Sequence, residues 1–361
     1  MRGGSDPPAG GGGVDRRTAM GTIMLGASAT RLSAGIVPGR LNLITDVQGI
    51  KVGQAEDCAV RTGVTVITAD RAMAAAVDVR GGAPGTRETD ALADHDLVHV
   101  VDAVVLAGGS VYGLAAADGV AAWLGARRRG FALSPSSEVP PSPIVPAAIL
   151  FDLDNGGNKS WGMAPPYRAL GVAAVEAAAA HFAIGSTGAG FGARSGQLHG
   201  GTGSASIRSQ DGFTVGAIVA VNSFGSAVAA DGRSFWAAPW EIGGEFGARG
   251  TAGLSAGDDG WGLTKEKAIA GQNTTIACVA TDAALSGSEL KRVAIMAHDG
   301  LARAIRPVHS PFDGDTVFAV ATGDREVTGA RPLAVARLGA LGADTLARAI
   351  ARAVFEANRR V

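Results

Sequence analysis

From Leu41 to the C-terminus, short runs rich in Val, Ile and Thr alternate with Ala-rich stretches whose apolar residues recur every three or four positions, and glycine clusters separate them. A period near two buries one face of a strand and a period near 3.6 buries one stripe of a helix, so the alternation is an α/β pattern. Strands are expected over residues 63–68, 103–106, 215–221, 274–281 and 316–321, and helices over 113–124, 171–181, 288–305 and 343–358. Ser288 is the expected cap of the third helix, whose stripe Leu290, Val293, Ala294, Ala297, Leu301 and Ile305 would face the sheet. Residues 236–272 carry the weakest periodicity and read as an exposed loop that includes the charged run 265–267.

With 47% hydrophobic residues in 361, the chain can build a large core, and its 54 glycines call for many turns and close backbone approaches. A net charge of −1 with scattered basic residues argues against nucleic acid and anionic membrane as partners, and for a small-molecule or peptide substrate. No apolar run reaches the ~18 residues of a membrane span. Cys58 and Cys278 both read as buried free thiols. The six histidines, His95, His99, His181, His199, His298 and His309, show no metal-ligand spacing, so neither metal nor cofactor is expected. Residues 1–40 read as a disordered leader ahead of one catalytic domain over 41–361, in a cytoplasmic protein; Arg16-Arg17 before a short apolar stretch is only a faint export signal.

The junction Asn273-Thr274 is where chemistry can enter, because a long loop there delivers a threonine to the first position of an apolar strand. A hydroxyl so placed can attack the preceding carbonyl, shift the acyl group from nitrogen to oxygen and leave an ester for water to cut. The freed α-amine, with a reference pKa of about 7.7 to 8.0, then serves its own hydroxyl as general base. The plain alternative is a loop-to-strand boundary, where Asn favours the turn and Thr the strand. Asn222, at the exit of the strand 215–221, is better suited to donate to an oxyanion than to be cut.

Asp313-Gly314-Asp315 precedes the strand 316–321, and carboxylates two apart on extended chain would face one site and repel, raising one pKa. An Asx-turn and a divalent-metal pair are the alternatives there. The run Gly185–Ala193 carries dinucleotide-like glycine spacing, but glycines continue where a helix should start, so a close backbone approach is the better reading. No Gly-x-Ser-x-Gly elbow for a Ser-His-Asp site occurs between a strand and a helix.

Several ordered segments resemble the L-aminopeptidase/D-esterase peptidase family. They are Ile44-Thr45-Asp46-Val47 with Gly49-Ile50-Lys51-Val52-Gly53, the run from Val79 to Thr89, Gly108-Gly109-Ser110-Val111-Tyr112-Gly113-Leu114, Val145-Pro146-Ala147-Ala148, Gly201-Thr202-Gly203-Ser204-Ala205-Ser206, and the run from His298 to Ile305. The resemblance spans about residues 41–361 and implies a four-layer αββα sandwich of the N-terminal-nucleophile-hydrolase type. It implies self-cleavage into an α subunit, 41–273, and a β subunit, 274–361, in a homo-oligomer of αβ units.

Asn-Thr cleavage with Asp-Gly-Asp looks like the nylon-oligomer (6-aminohexanoate oligomer) hydrolase branch. By this likeness Thr274 is the nucleophile, Asp313 and Asp315 the carboxylate pair, Asn222 the oxyanion donor, and Gly109, Ser110 and Tyr112 line the substrate cleft. Residues 145–151 hold no acid where aminopeptidase relatives bind the substrate amine, which argues against strict N-terminal trimming. Gln197 stands where the family usually has Lys. The expected activity is amide-bond hydrolysis through a Thr acyl-enzyme; an ornithine-acetyltransferase-like acyltransferase using the same self-cleaved threonine, and a non-catalytic protein that kept the fold, are the rivals.

Overall fold

The computed structural model describes Met1 and residues 36–93, 96, 98–255, 257–259, 261–265 and 272–359. The expected leader, His95, and Glu266 and Lys267 of the charged run lie outside the described residues, apart from Met1 and 36–40 of the leader. Those last residues are already tied down: Val37 bridges Arg208, and the Gly39 amide donates to Ser206 Oγ at 3.0 Å.

The strands are β1 (Ile50–Asp57), β2 (Thr62–Val79), β3 (Thr86–Arg87), β4 (Val100–Ala107), β5 (Ala147–Ile149), β6 (Arg194–Ser195), β7 (Leu198–His199), β8 (Gly201–Arg208), β9 (Thr214–Asn222), β10 (Thr274–Ala283) and β11 (Thr316–Arg325). The helices are α1 (Ala115–Ala126), α2 (Tyr167–Glu176), α3 (Gly287–Ala304) and α4 (Arg331–Asn358). Among the described residues nine strands form one hydrogen-bonded sheet in the order β3-β5-β4-β2-β11-β10-β9-β8, with β1 on β2.

This sheet folds over on itself because β2 is long enough to serve both halves. Its first part pairs with β1 and β4, the exposed residues Asp70, Arg71 and Ala72 interrupt burial, and Ala74–Val79 then pairs with β11. Side chains on successive residues of each strand point to opposite faces, so Val104 and Leu106 of β4 and Ile276 and Cys278 of β10 meet in a core between the two halves. Val105 packs outward against Val120 and Leu124 of α1, and Ala277 and Val279 pack outward against Leu290 and Val293 of α3. Three apolar cores thus separate four layers, α1/α2, sheet, sheet and α3/α4. This is the expected αββα sandwich.

Some sequence readings need correction. The third helix begins on Ser286, whose hydroxyl accepts the Glu289 amide while the Glu289 carboxylate accepts the Ser286 amide, so Ser288 is not its cap. Helix α4 starts twelve residues before the expected 343, at Arg331, with Pro332 in its first turn. Cys58 is exposed in the turn between β1 and β2, whereas Cys278 is buried as expected, with its thiol pushed up by burial. The described part of 236–272 is not simply exposed: Trp236, Ala237 and Phe246 are buried, and Lys265 of the charged run is half-buried, with its ammonium on Asn222 rather than in solvent. Aromatic packing explains part of this, since Phe246 and Phe355 both meet Phe235 edge-on.

Candidate active site

Register places the chemistry. Strand β9 runs antiparallel to β10, so its last residue, Asn222, lies directly opposite Thr274, the first residue of β10. Strand β11 runs parallel to β10, so the residues just before it flank the same point from the other side, and Asn273 bridges Asp313. The expected nucleophile, amide and carboxylate pair therefore converge, although they come from parts of the chain far apart in sequence.

At the centre, Asn273 and Thr274 are both buried. The Thr274 hydroxyl donates to the carbonyl oxygen of Asn273 in a very short contact, and the Gly314 amide donates to that same oxygen at 2.8 Å. Gly314 must be glycine for this approach, since a Cβ there would lie 2.7 Å from Thr274 Oγ and 2.6 Å from the Ala83 carbonyl. The second donor on the Asn273 carbonyl is thus a backbone N–H, which no reading of side-chain types could supply.

Both carboxylates are buried and saturated with donors. Asp313 accepts from the Phe224 and Ser310 amides, each at 3.1 Å, and from the Ser310 hydroxyl. Asp315 accepts from the Thr275 amide at 2.8 Å, the His309 amide at 3.1 Å and His309 Nδ1 at 2.8 Å. Burial, and then the neighbouring Asp315 charge, raise the Asp313 pKa above the usual carboxylate range. His309, beside Asp315, packs edge-on against His298 with ring centroids 4.9 Å apart; burial lowers the His298 pKa to about 4 and keeps that ring neutral.

The Asn222 amide does not touch the Asn273 carbonyl. Its Nδ2 donates to the carbonyls of Phe151, at 3.0 Å, and Gln272, at 3.1 Å. Its Oδ1 accepts from the Arg194 amide at 3.0 Å and from Lys265 Nζ at 3.2 Å.

Above this centre lies a cavity of about 540 Å³ lined by residues that include Gln197, Asn222, Lys265, Gln272, Asn273 and Asp152. Gln197, expected among the catalytic residues, lines it, whereas the expected cleft residues Gly109, Ser110 and Tyr112 do not. Tyr112 instead packs edge-on against Trp161 at 5.6 Å, the Gly109 amide donates to Asp152 Oδ1 at 2.7 Å, and the Ser110 amide donates to Leu150. Gly109 also abuts Tyr167, whose ring would overlap any Cβ placed there.

Lys265, Asp152 and His309 had no sequence signal as site residues. Asp152 stands one residue past the acid-free stretch 145–151; its Oδ2 accepts from Thr62 Oγ1 at 2.6 Å, and burial raises its pKa to about 6. Among the described residues no cluster of His, Cys, Asp or Glu is arranged to hold a metal ion, and no helix is long and apolar enough to cross a membrane. The glycine-rich run makes the close approaches expected of it: a Cβ on Gly190 would lie 2.1 Å from the carbonyl carbon of Gly201.

The family profile of peptidase family S58 matches residues 42–360. The chain belongs to peptidase family S58. Relatives of this S58 chain include an uncharacterized aminopeptidase of Mycobacterium tuberculosis, 45% identical over 340 residues that cover 88% of this chain and 95% of that protein. A 6-aminohexanoate-oligomer endohydrolase of a Kocuria species is 32% identical over 299 residues, 79% of this chain and 76% of the relative. In structure, a β-aminopeptidase of a Burkholderia species superposes with a TM-score of 0.65 at 22% identity, covering 89% and 88% of the two chains. The L-aminopeptidase D-Ala-esterase/amidase of Ochrobactrum anthropi, described as a variant of the Ntn hydrolase fold, gives 0.63 at 22% identity over 89% and 87%. The S58 chain is thus a peptide or amide hydrolase with an Ntn-type αββα fold, and the acyltransferase reading finds no support among these relatives.

Proposed function

We propose that this peptidase activates itself by cutting the Asn273–Thr274 bond and then hydrolyses amide bonds through an acyl-enzyme on Thr274. The observation that carries the reading is the contact of the Thr274 hydroxyl with the Asn273 carbonyl, whose oxygen the Gly314 amide also holds. Attack of Oγ on that carbonyl carbon places negative charge on an oxygen that already has a backbone donor, the arrangement that stabilises a tetrahedral intermediate. The C–N bond then breaks, the hydroxyl proton passes to the departing Thr274 nitrogen, and water hydrolyses the ester. Asp313, with its raised pKa, is the member of the carboxylate pair suited to carry that proton.

The products are an α subunit ending at Asn273 and a β subunit beginning at Thr274, and we expect the αβ units to assemble as homo-oligomers. In the uncut chain Gln272 and Asn273 line the cavity and cover Thr274. Their departure opens the site to a substrate, and the new α-amine serves Thr274 Oγ as general base. Asn222 Nδ2, freed from Gln272, becomes the side-chain donor to the substrate's acyl oxygen. Peptides and oligoamides such as 6-aminohexanoate oligomers are the substrate classes that the relatives' names suggest.

The test is Thr274→Ala: the variant should remain one chain and show no turnover of small amides, esters or peptides. A processed or active variant would remove Thr274 from the mechanism.

A further inference from the structure

Lys265 belongs to the segment that links β9 to β10, ahead of the bond proposed to be cut. Main-chain contacts on two sides fix its position. Its amide donates to the Phe224 carbonyl at 3.1 Å, and the Gln197 amide donates to the Leu263 carbonyl at 3.2 Å. Gly196 packs so closely on the Leu263 carbonyl that a Cβ would lie 2.1 Å from it, and Trp261 meets Phe224 edge-on at 5.7 Å. Drawing an ammonium out of water disfavours its charged form, so the acceptors it meets must offset that cost.

The ammonium is directed at one residue. Nζ donates to the Asn222 carbonyl at 3.1 Å and to Asn222 Oδ1 at 3.2 Å. The Arg194 amide, also a donor, reaches the same Oδ1 at 3.0 Å. An ammonium and a backbone N–H can only donate, so the oxygen end of the Asn222 amide must face them. The Nδ2 end is thereby turned to the Gln272 carbonyl, immediately before Asn273. Without the ammonium, Oδ1 keeps, among the described residues, only the Arg194 amide as a donor.

We propose that Lys265 is a positioning residue for the S58 reaction: its ammonium fixes the Asn222 amide so that Nδ2 holds the Gln272 carbonyl, next to the scissile residue, during self-cleavage and turns to the acyl oxygen at Thr274 during substrate turnover. The proposal rests on the Thr274 reading above. It also means that the wall in which Gln197 offers a neutral amide still holds a cation, brought by the linker. The α subunit's tail is in this account a component of the mature site and not only a leaving segment.

Self-cleavage provides a substrate-free readout. Full-length wild type, Lys265→Met and Lys265→Arg are made by cell-free synthesis, and the uncut fraction is followed with time by denaturing mass spectrometry between pH 5.5 and 9, with a melting temperature for each. Burial lowers the Lys265 pKa to about 7, Asp313 opposing and Arg194 adding to the shift, and Asp152 and Asp154 line the same cavity. The wild-type rate should therefore fall above pH 7 as the ammonium loses its proton. Lys265→Met should cleave at least tenfold more slowly, and Lys265→Arg should cleave without the alkaline fall, because guanidinium stays charged.

Should the Met variant not fold, the Arg profile decides. A Met variant within twofold of wild type, or an Arg variant that keeps the alkaline fall, would overturn the proposal and leave self-cleavage standing. A wild type that never cleaves would instead remove the Thr274 reading beneath it.

Discussion

Gly314 shows how a residue without a side chain can be the most demanding position in a site. Its N–H reaches the Asn273 carbonyl because nothing stands between Gly314 and Thr274 Oγ. We predict that Gly314→Ala displaces the nucleophile and slows self-cleavage by roughly 10²-fold, the scale of a lost oxyanion donor, as followed by the conversion of one chain into two; cleavage at the wild-type rate would refute this placement. Asp152 gives a second test at this scale. Its folded pKa of about 6 lies above the unfolded value of 3.8, so the stability it contributes is fully present below pH 3.8 and is lost as pH rises through 6. Asp152→Asn should therefore gain on wild type between pH 4 and pH 7, by up to about 3 kcal/mol, in denaturant unfolding at the two pH values. A difference that does not change with pH would contradict it.

The elements were legible in the sequence where their pattern was unbroken. Strands β10 and β11 start at the expected residues, 274 and 316, because an apolar, β-branched run follows a turn there without ambiguity. The length of β2 was not legible, since Asp70 and Arg71 interrupt its alternation at the point where the strand passes from one half of the sheet to the other. The early turns of α4 were hidden by Pro332, Gly339 and Gly342, which lower the helical signal although the helix packs through them. Ser286 and Ser288 offered two caps two residues apart, and only geometry chooses. Ser286→Ala should cost about 1 kcal/mol in chemical denaturation, with Ser288→Ala nearly silent; the reverse order would restore the cap read from the sequence.

For the whole molecule, topology decides what meets Thr274. The antiparallel β9 and the parallel β11 bring Asn222 and the Asp313-Gly314-Asp315 turn to one point, which motif order and family resemblance anticipated. The same topology delivers Lys265, His309 and Asp152, which local sequence could not announce, because their roles depend on loops that cross the sheet's end. A lysine in a charged run reads as solvated until the fold encloses it. On the proposed reading this fold presses a hydroxyl onto the backbone just ahead of it, and the chain is severed there. N-terminal sequencing with intact mass of freshly purified, folded, active wild-type protein decides this: two polypeptides are expected, the second beginning Thr-Thr-Ile, and a single uncut chain in active material would rule self-cleavage out.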